Sequence, residues 1–251
     1  MLRKLAAGVL LAAALTLPLA GCRSAGTTAT GGASPAASRS PKPTEILTAV
    51  IAKSQGTSFA LSLGDKNDSL KGSYDAANKA VRLDTGGFDF VCIGSALYVS
   101  GFPGTDSGKY LRVDPAKLTA DSTFAVLADP LAGLRFVVAA GSVDQPTSGH
   151  FTGTSDLTKV SAGAPAGTKL VVDFLTKQTR GGVTALPFTA TVDDQGRLTQ
   201  FSTTFPAADD GKDIDYVLTL SDFGTKATVT APDPAKVEDA PPSFYQKVNT
   251  K

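Results

Sequence analysis

From residue 57 onward the chain alternates apolar and polar side chains over short runs, and this period of two constrains its fold more than any other feature. Phe59, Leu61 and Leu63 alternate with Ser58, Ala60 and Ser62, which puts one face of a strand in a core and the other outside. Residues 70–74 and 81–83 continue in the same style. Residues 88–93 are apolar on both faces and read as a strand in mid-sheet, and 96–100 and 110–113 follow after turn-rich links. In the last third 186–192, 197–205, 214–220 and 226–230 read as strands. They are separated by turn sequences at 193–196, 209–212 and 222–224. Roughly ten strands this closely spaced can only be joined by hairpins, so the sheet is antiparallel.

Three segments break the alternation. Ile46, Leu47, Val50 and Ile51 fall on one helical face, with Thr44 as N-cap, Glu45 in the first turn and Gly56 as a stop. Asp129 followed by Pro130 reads as the cap and first residue of a second helix, whose stripe is Leu131, Leu134, Val137 and Val138 and which ends near Gly141. Leu170/Phe174 and Val171/Leu175 are i,i+4 pairs of a third helix after Thr168. Strands interrupted by clustered helices imply an α+β domain.

The N-terminus is a different kind of sequence. Residues 1–21 carry Arg3 and Lys4, then an apolar stretch over 5–17, too short for a membrane span of roughly 20 residues. Leu19-Ala20-Gly21-Cys22 follows and looks like a bacterial lipobox, in which the Cys22 thiol takes a diacylglyceryl group and cleavage precedes it. Cys22 is thus the expected lipidation site and membrane anchor. Residues 22–43 are low-complexity: 18 of 22 are Ala, Gly, Ser, Thr or Pro. Such a segment buries too little to fold, and reads as a flexible tether with a reach of about 25 Å. Residues 44–234 then form one domain, and 235–251, rich in proline at its start, read as an irregular tail.

Composition excludes much. The chain has 24 basic and 23 acidic residues, so no charge excess points to nucleic acid. One His and two Cys do not make a multi-ligand metal centre or a disulfide scaffold. Cys92, between Val91 and Ile93, reads as a small buried core residue, and His150 points away from an inward Phe151. No nucleophile elbow, P-loop or zincin motif occurs. The carboxylate pairs at 193–194 and 209–210 sit in turns beside glycine, and 65–68 is a solvated turn lacking EF-hand spacing. No catalytic residue, metal or cofactor is expected, and the chain reads as a non-enzyme.

The order of pieces from 44 to 234 resembles the actinobacterial LppX/LprAFG lipoproteins, which are similar in shape to the LolA and LolB carriers. It rests on Leu19-Ala20-Gly21-Cys22 with its tether, the 44–55 helix, the Gly94–Val99 and Tyr110–Asp114 stretches and Asp129-Pro130-Leu131. The hairpin at 192–198 and the run 217–224 into 229–232 complete it. The resemblance implies a strongly curved antiparallel half-barrel with helices on its concave face. It also implies an apolar cavity for acyl chains of a lipid or glycolipid. The residues alone leave a filled core as the simpler outcome; the resemblance tips the expectation towards a hollow.

Cavity candidates are then Val50, Phe59, Leu61, Tyr74, Phe90, Tyr98, Leu134, Val138, Leu170 and Phe174, although aromatic residues at such spacings also serve as plain core. The expected protein is a lipid-anchored module on the outer leaflet of the cell membrane, facing the envelope, that carries or presents lipid. The alternative is a ligand-free interaction or sensor module docking on an envelope protein partner.

Overall fold

A computed structural model describes residues 40–64, 69–103, 105–122, 124–178, 182–209 and 212–250. The export signal, Cys22 and the tether to residue 39 lie outside the described residues, as do the 65–68 turn and the centre of the 209–212 turn. Residues Ser40–Lys251 form one compact unit.

Among the described residues twelve strands make one sheet. β1 (Phe59–Gly64), β2 (Ser69–Asp75), β3 (Ala80–Asp84), β4 (Asp89–Ile93), β5 (Ala96–Ser100) and β6 (Tyr110–Val113) are successive antiparallel neighbours. β7 (Ala140–Thr147), β8 (His150–Asp156), β9 (Ala185–Val192), β10 (Leu198–Asp209) and β11 (Lys212–Ser221) form a second meander. The two meanders join where β11 pairs with β1, and a short β12 (Val237–Asp239) returns to lie parallel to β6. β7 and β12 are the free edges, so the sheet is open.

Among the described residues five helices accompany it: α1 (Pro43–Gln55), α2 (Ala132–Val138), α3 (Leu157–Ser161), α4 (Ala166–Gln178) and α5 (Pro242–Val248). They demonstrate the curvature. α4 touches both β10 and the single turn at Pro115–Lys117 that follows β6. In a flat sheet those strands would be about 34 Å apart, whereas a 13-residue helix is about 20 Å long. The sheet therefore curls around the helices as a half-barrel, and one hydrophobic core joins strands of both meanders to α1, α2, α4 and α5.

The expected alternation holds. Phe59, Leu61 and Leu63 of β1 are buried, as are Leu186, Phe188 and Ala190 of β9, and Phe151 is buried while His150 is exposed. β4 is buried on both faces: Phe90 faces the main core, and Val91 joins Ala80 and Val229 in a small outer cluster.

Several expectations are corrected. Residues 226–230 are not a strand but an extended strap over that outer cluster. Asp75 holds it, accepting the Val229 N–H at 3.0 Å, while Asn78 donates to the Val229 carbonyl. The tail is not irregular. It supplies β12 and α5, and Phe244 and Val248 enter the main core. Gly141 lies inside β7, a strand whose mostly exposed residues carry no clean alternation. Lys42 rather than Thr44 caps α1, because Pro43 takes the first helical position and the Glu45 carboxylate reaches back to the Lys42 N–H. Gly56 ends that helix with an ordinary right-handed φ of −75°.

Candidate functional site

The inner face of β9–β11 carries a layer of rings. Phe188, Phe201, Phe205 and Tyr216 pack with Phe136 of α2 at centroid separations of 5.7–6.3 Å. Gly133 brings α2 down onto this layer: a Cβ there would sit 3.0 Å from Tyr216 Cε1 and 3.1 Å from Phe201 Cδ1. Beneath α2 the concave face is thus filled. The hollows lie on the flanks of α2.

The first hollow has a volume of about 540 Å³. Its walls are the C-terminal turn of α1 (Ala52, Gln55, Gly56), the sheet at Tyr74, Val81 and Cys92, and the segments 128–131 and 165–168. The second, about 430 Å³, lies between α1, α2 and the α3–α4 link, against Ile51, Leu134, Val138, Val160 and Ala164. Gln55 and Arg135 line both, so these two side chains are the partition between neighbouring hollows. At Gly167 α4 begins so close to the Ala128 carbonyl that a Cβ would lie 2.4 Å from its oxygen. A larger residue there would push apart two walls of the first hollow.

Asp129 organises the polar part of the partition. Its carboxylate accepts the Thr168 hydroxyl at 2.5 Å, the Leu131 N–H at 3.2 Å and Arg135 Nε at 3.2 Å. The expected role of Asp129 as helix cap is corrected: α2 starts at Ala132 with Leu131 before it, and Asp129 instead ties the α2 approach to α4. Cys92 is half-buried, with its sulfur turned inward to the Leu127 carbonyl at 3.5 Å. Burial first, and the Asp129 charge second, push its thiol up to about 12, so it stays protonated and inert at neutral pH. The Tyr216 phenol is likewise raised, by burial and then by Asp129. Its hydroxyl lies against Gly133 with no hydrogen-bond partner of good geometry among the described residues.

The ten candidate residues separate into groups. Val50, Phe59, Leu61, Phe90 and Leu170 are buried in the main core, and Phe174 packs against it. None of these six lines either hollow. Tyr74 lines the first hollow, and Leu134 and Val138 line the second. Val138, the last residue of α2, is 50% exposed at the rim rather than buried. Tyr98 is on the outer face, against the cluster under the strap, since alternation in β5 gives the inner face to Leu97 and Val99. Asp129, Arg135 and Gln55 are not foreseen as partition residues. The available signal was a lone arginine in the otherwise apolar 131–140 run and an aspartate just before it.

Among the described residues no three His, Cys, Asp or Glu side chains come together as a metal site, and no helix is long and apolar enough to cross a membrane. No protein-family model matches this chain. No curated protein is significantly similar to it in sequence. Among solved structures it is similar to LprF from Mycobacterium bovis, with a TM-score of 0.43 and 16% sequence identity over 77% of this chain and 98% of that one.

Proposed function

We propose that this protein is an envelope lipoprotein, anchored through lipidated Cys22, whose half-barrel holds acyl chains of a lipid or glycolipid for carriage or presentation. The observation that carries this reading is the pair of adjoining hollows beside α2. A methylene is about as large as a water, whose share of liquid volume is roughly 30 Å³, so a sixteen-carbon chain needs about 480 Å³. The hollows, at about 540 and 430 Å³, are each of one-chain size. Burying a chain contributes about 0.8 kcal/mol per methylene, which supplies affinity without any covalent step. The lipobox at 19–22 and the tether to residue 43 support a domain that works within reach of a membrane.

The test is native mass spectrometry of the full chain extracted in a mild, neutral detergent. Co-purifying two-chain lipid is the expected result, and Val138→Trp, at the rim of the second hollow, should lower the load while the thermal transition persists. A ligand-free spectrum that stays so after incubation with lipid would overturn this reading in favour of a docking module.

A further inference from the structure

Cationic side chains line both hollows. Lys79 lines the first, Lys159 lines the second, and Arg135 lines both. Asp129 is the one acidic residue among the lining residues, and it is already engaged by Thr168, the Leu131 N–H and Arg135 Nε. Arg135 uses only its Nε in that contact. Its terminal guanidinium nitrogens have no partner among the described residues, and its side chain is 49% exposed. A guanidinium held at one edge by a carboxylate and open at the other presents a fixed two-donor fork, which matches a phosphate or carboxylate.

Resting on the carrier reading above, we infer that Arg135 is a head-group site that makes the protein select two-chain lipids with an anionic head over neutral ones. The anion sits at the partition, on the free edge of Arg135, with Lys79 on the wall of the first hollow and Lys159, which also pairs with Asp156, on the wall of the second, and one chain runs into each hollow. The arrangement explains why a charged partition stands between two chain-sized spaces: a lipid whose chains diverge from one head group needs its polar part at the divergence. Asp129 does not touch the ligand. It positions the guanidinium.

The experiment uses the full chain in a neutral alkyl-glucoside detergent and two pyrene-labelled probes with identical chains, phosphatidylglycerol and diacylglycerol. Wild-type protein should bind phosphatidylglycerol about tenfold more tightly, the scale of one charge-assisted contact. Arg135→Gln should bring the two affinities together without weakening diacylglycerol. Lys79→Gln combined with Lys159→Gln, both on exposed side chains, should lower the ratio by a smaller factor and guards against a folding defect in the arginine variant. Excess inorganic phosphate should leave phosphatidylglycerol bound. Equal affinities in the wild type, a ratio untouched by either variant, or displacement by phosphate alone would each overturn the head-group site while leaving the carrier intact. Binding of neither probe would overturn the carrier reading and this site with it.

Discussion

The concave face is treated differently at two places. At the β4–β6 end it is packed with rings: Phe90, Phe102, Phe124 and Phe244 lie 4.8–6.0 Å apart, centroid to centroid. Phe88 packs against the edge of this group. An indentation of about 280 Å³ lies at its rim. Beside α2 a larger hollow opens on the same face, and a second lies among the covering helices, between α1, α2 and the α3–α4 link. The difference comes from what each helix contributes. α5 arrives by a long return of the chain, after β12 has paired with β6, and inserts Phe244. α2 lies flat on its own ring layer through Gly133, so its bulk goes downwards and its flanks stay uncovered. A curved sheet keeps ligand space only where the covering helices do not fill the concavity, and here both outcomes occur on one sheet.

The largest expected effect belongs to the filled end. Phe244 is 2% exposed and contacts Phe102 and Phe124. Phe244→Ala should cost about 3–5 kcal/mol in chemical denaturation. A cost below about 1 kcal/mol would erase the contrast, because α5 would then be peripheral. Gly133→Ala should be milder. The new methyl presses on two rings at 3.0 and 3.1 Å, an overpacking cost of about 1–3 kcal/mol, from which a helix-propensity gain of about 1 kcal/mol is subtracted. A small net loss is expected. A net gain would show that the ring layer can give way, and that the hollows extend under α2 as well as beside it.

How much of this was legible follows from which interactions are local. Alternation in β1, β9 and β10 and the stripes of α1 and α4 depend on neighbours in sequence, so the antiparallel half-barrel and most of its inner face could be read. β12 and α5 could not. Three strand residues and seven helix residues after a proline cluster carry almost no period, and they are ordered by contacts to β6 and Phe102, over 100 residues away. The strap at 226–230 failed in the opposite direction. Its local pattern suits a strand, but it lies over the outer cluster, held by Asp75 and Asn78, with no ladder partner. Of the cavity candidates, picked by apolar character, Tyr74, Leu134 and Val138 line the hollows. Arg135 and Asp129 were not, because a charge's use depends on which walls meet there.

The strap tests the outer face against the concave one, and its effect should be confined to acid. The Asp75 carboxyl is held below its usual range, chiefly by the Val229 N–H, with Asn78 and Ala77 adding to it against the opposing effect of burial. A lowered native pKa contributes stability that is present above the unfolded value of about 4 and is lost as pH falls through the native one. Asp75→Asn should therefore melt below wild type near neutrality, and the two should converge as the pH drops below about 4. A gap that persists in acid would mean that shape rather than charge holds the strap.

The smallest effect is expected at the rim of the second hollow, and it sharpens the contrast most. Val138 and Leu134 are one helical turn apart on α2 and both line that hollow, yet Leu134 is fully buried and Val138 is 50% exposed. Leu134→Ala removes atoms from packed surroundings and should cost about 2–5 kcal/mol. Val138→Ala removes atoms that face open space, so lipid-free protein should change by no more than about 0.5 kcal/mol. Saturating lipid changes the reference state, because a chain in the second hollow would meet the Val138 methyls and make them part of a packed surface. The Val138→Ala penalty should then grow, through linkage between ligand affinity and stability, while the Leu134→Ala penalty stays nearly constant. Parallel melting of six samples, wild type and each variant with and without phosphatidylglycerol, reads this directly. Equal penalties at Val138 in both states would leave the second hollow empty, and a large penalty in lipid-free protein would place Val138 inside the filled region.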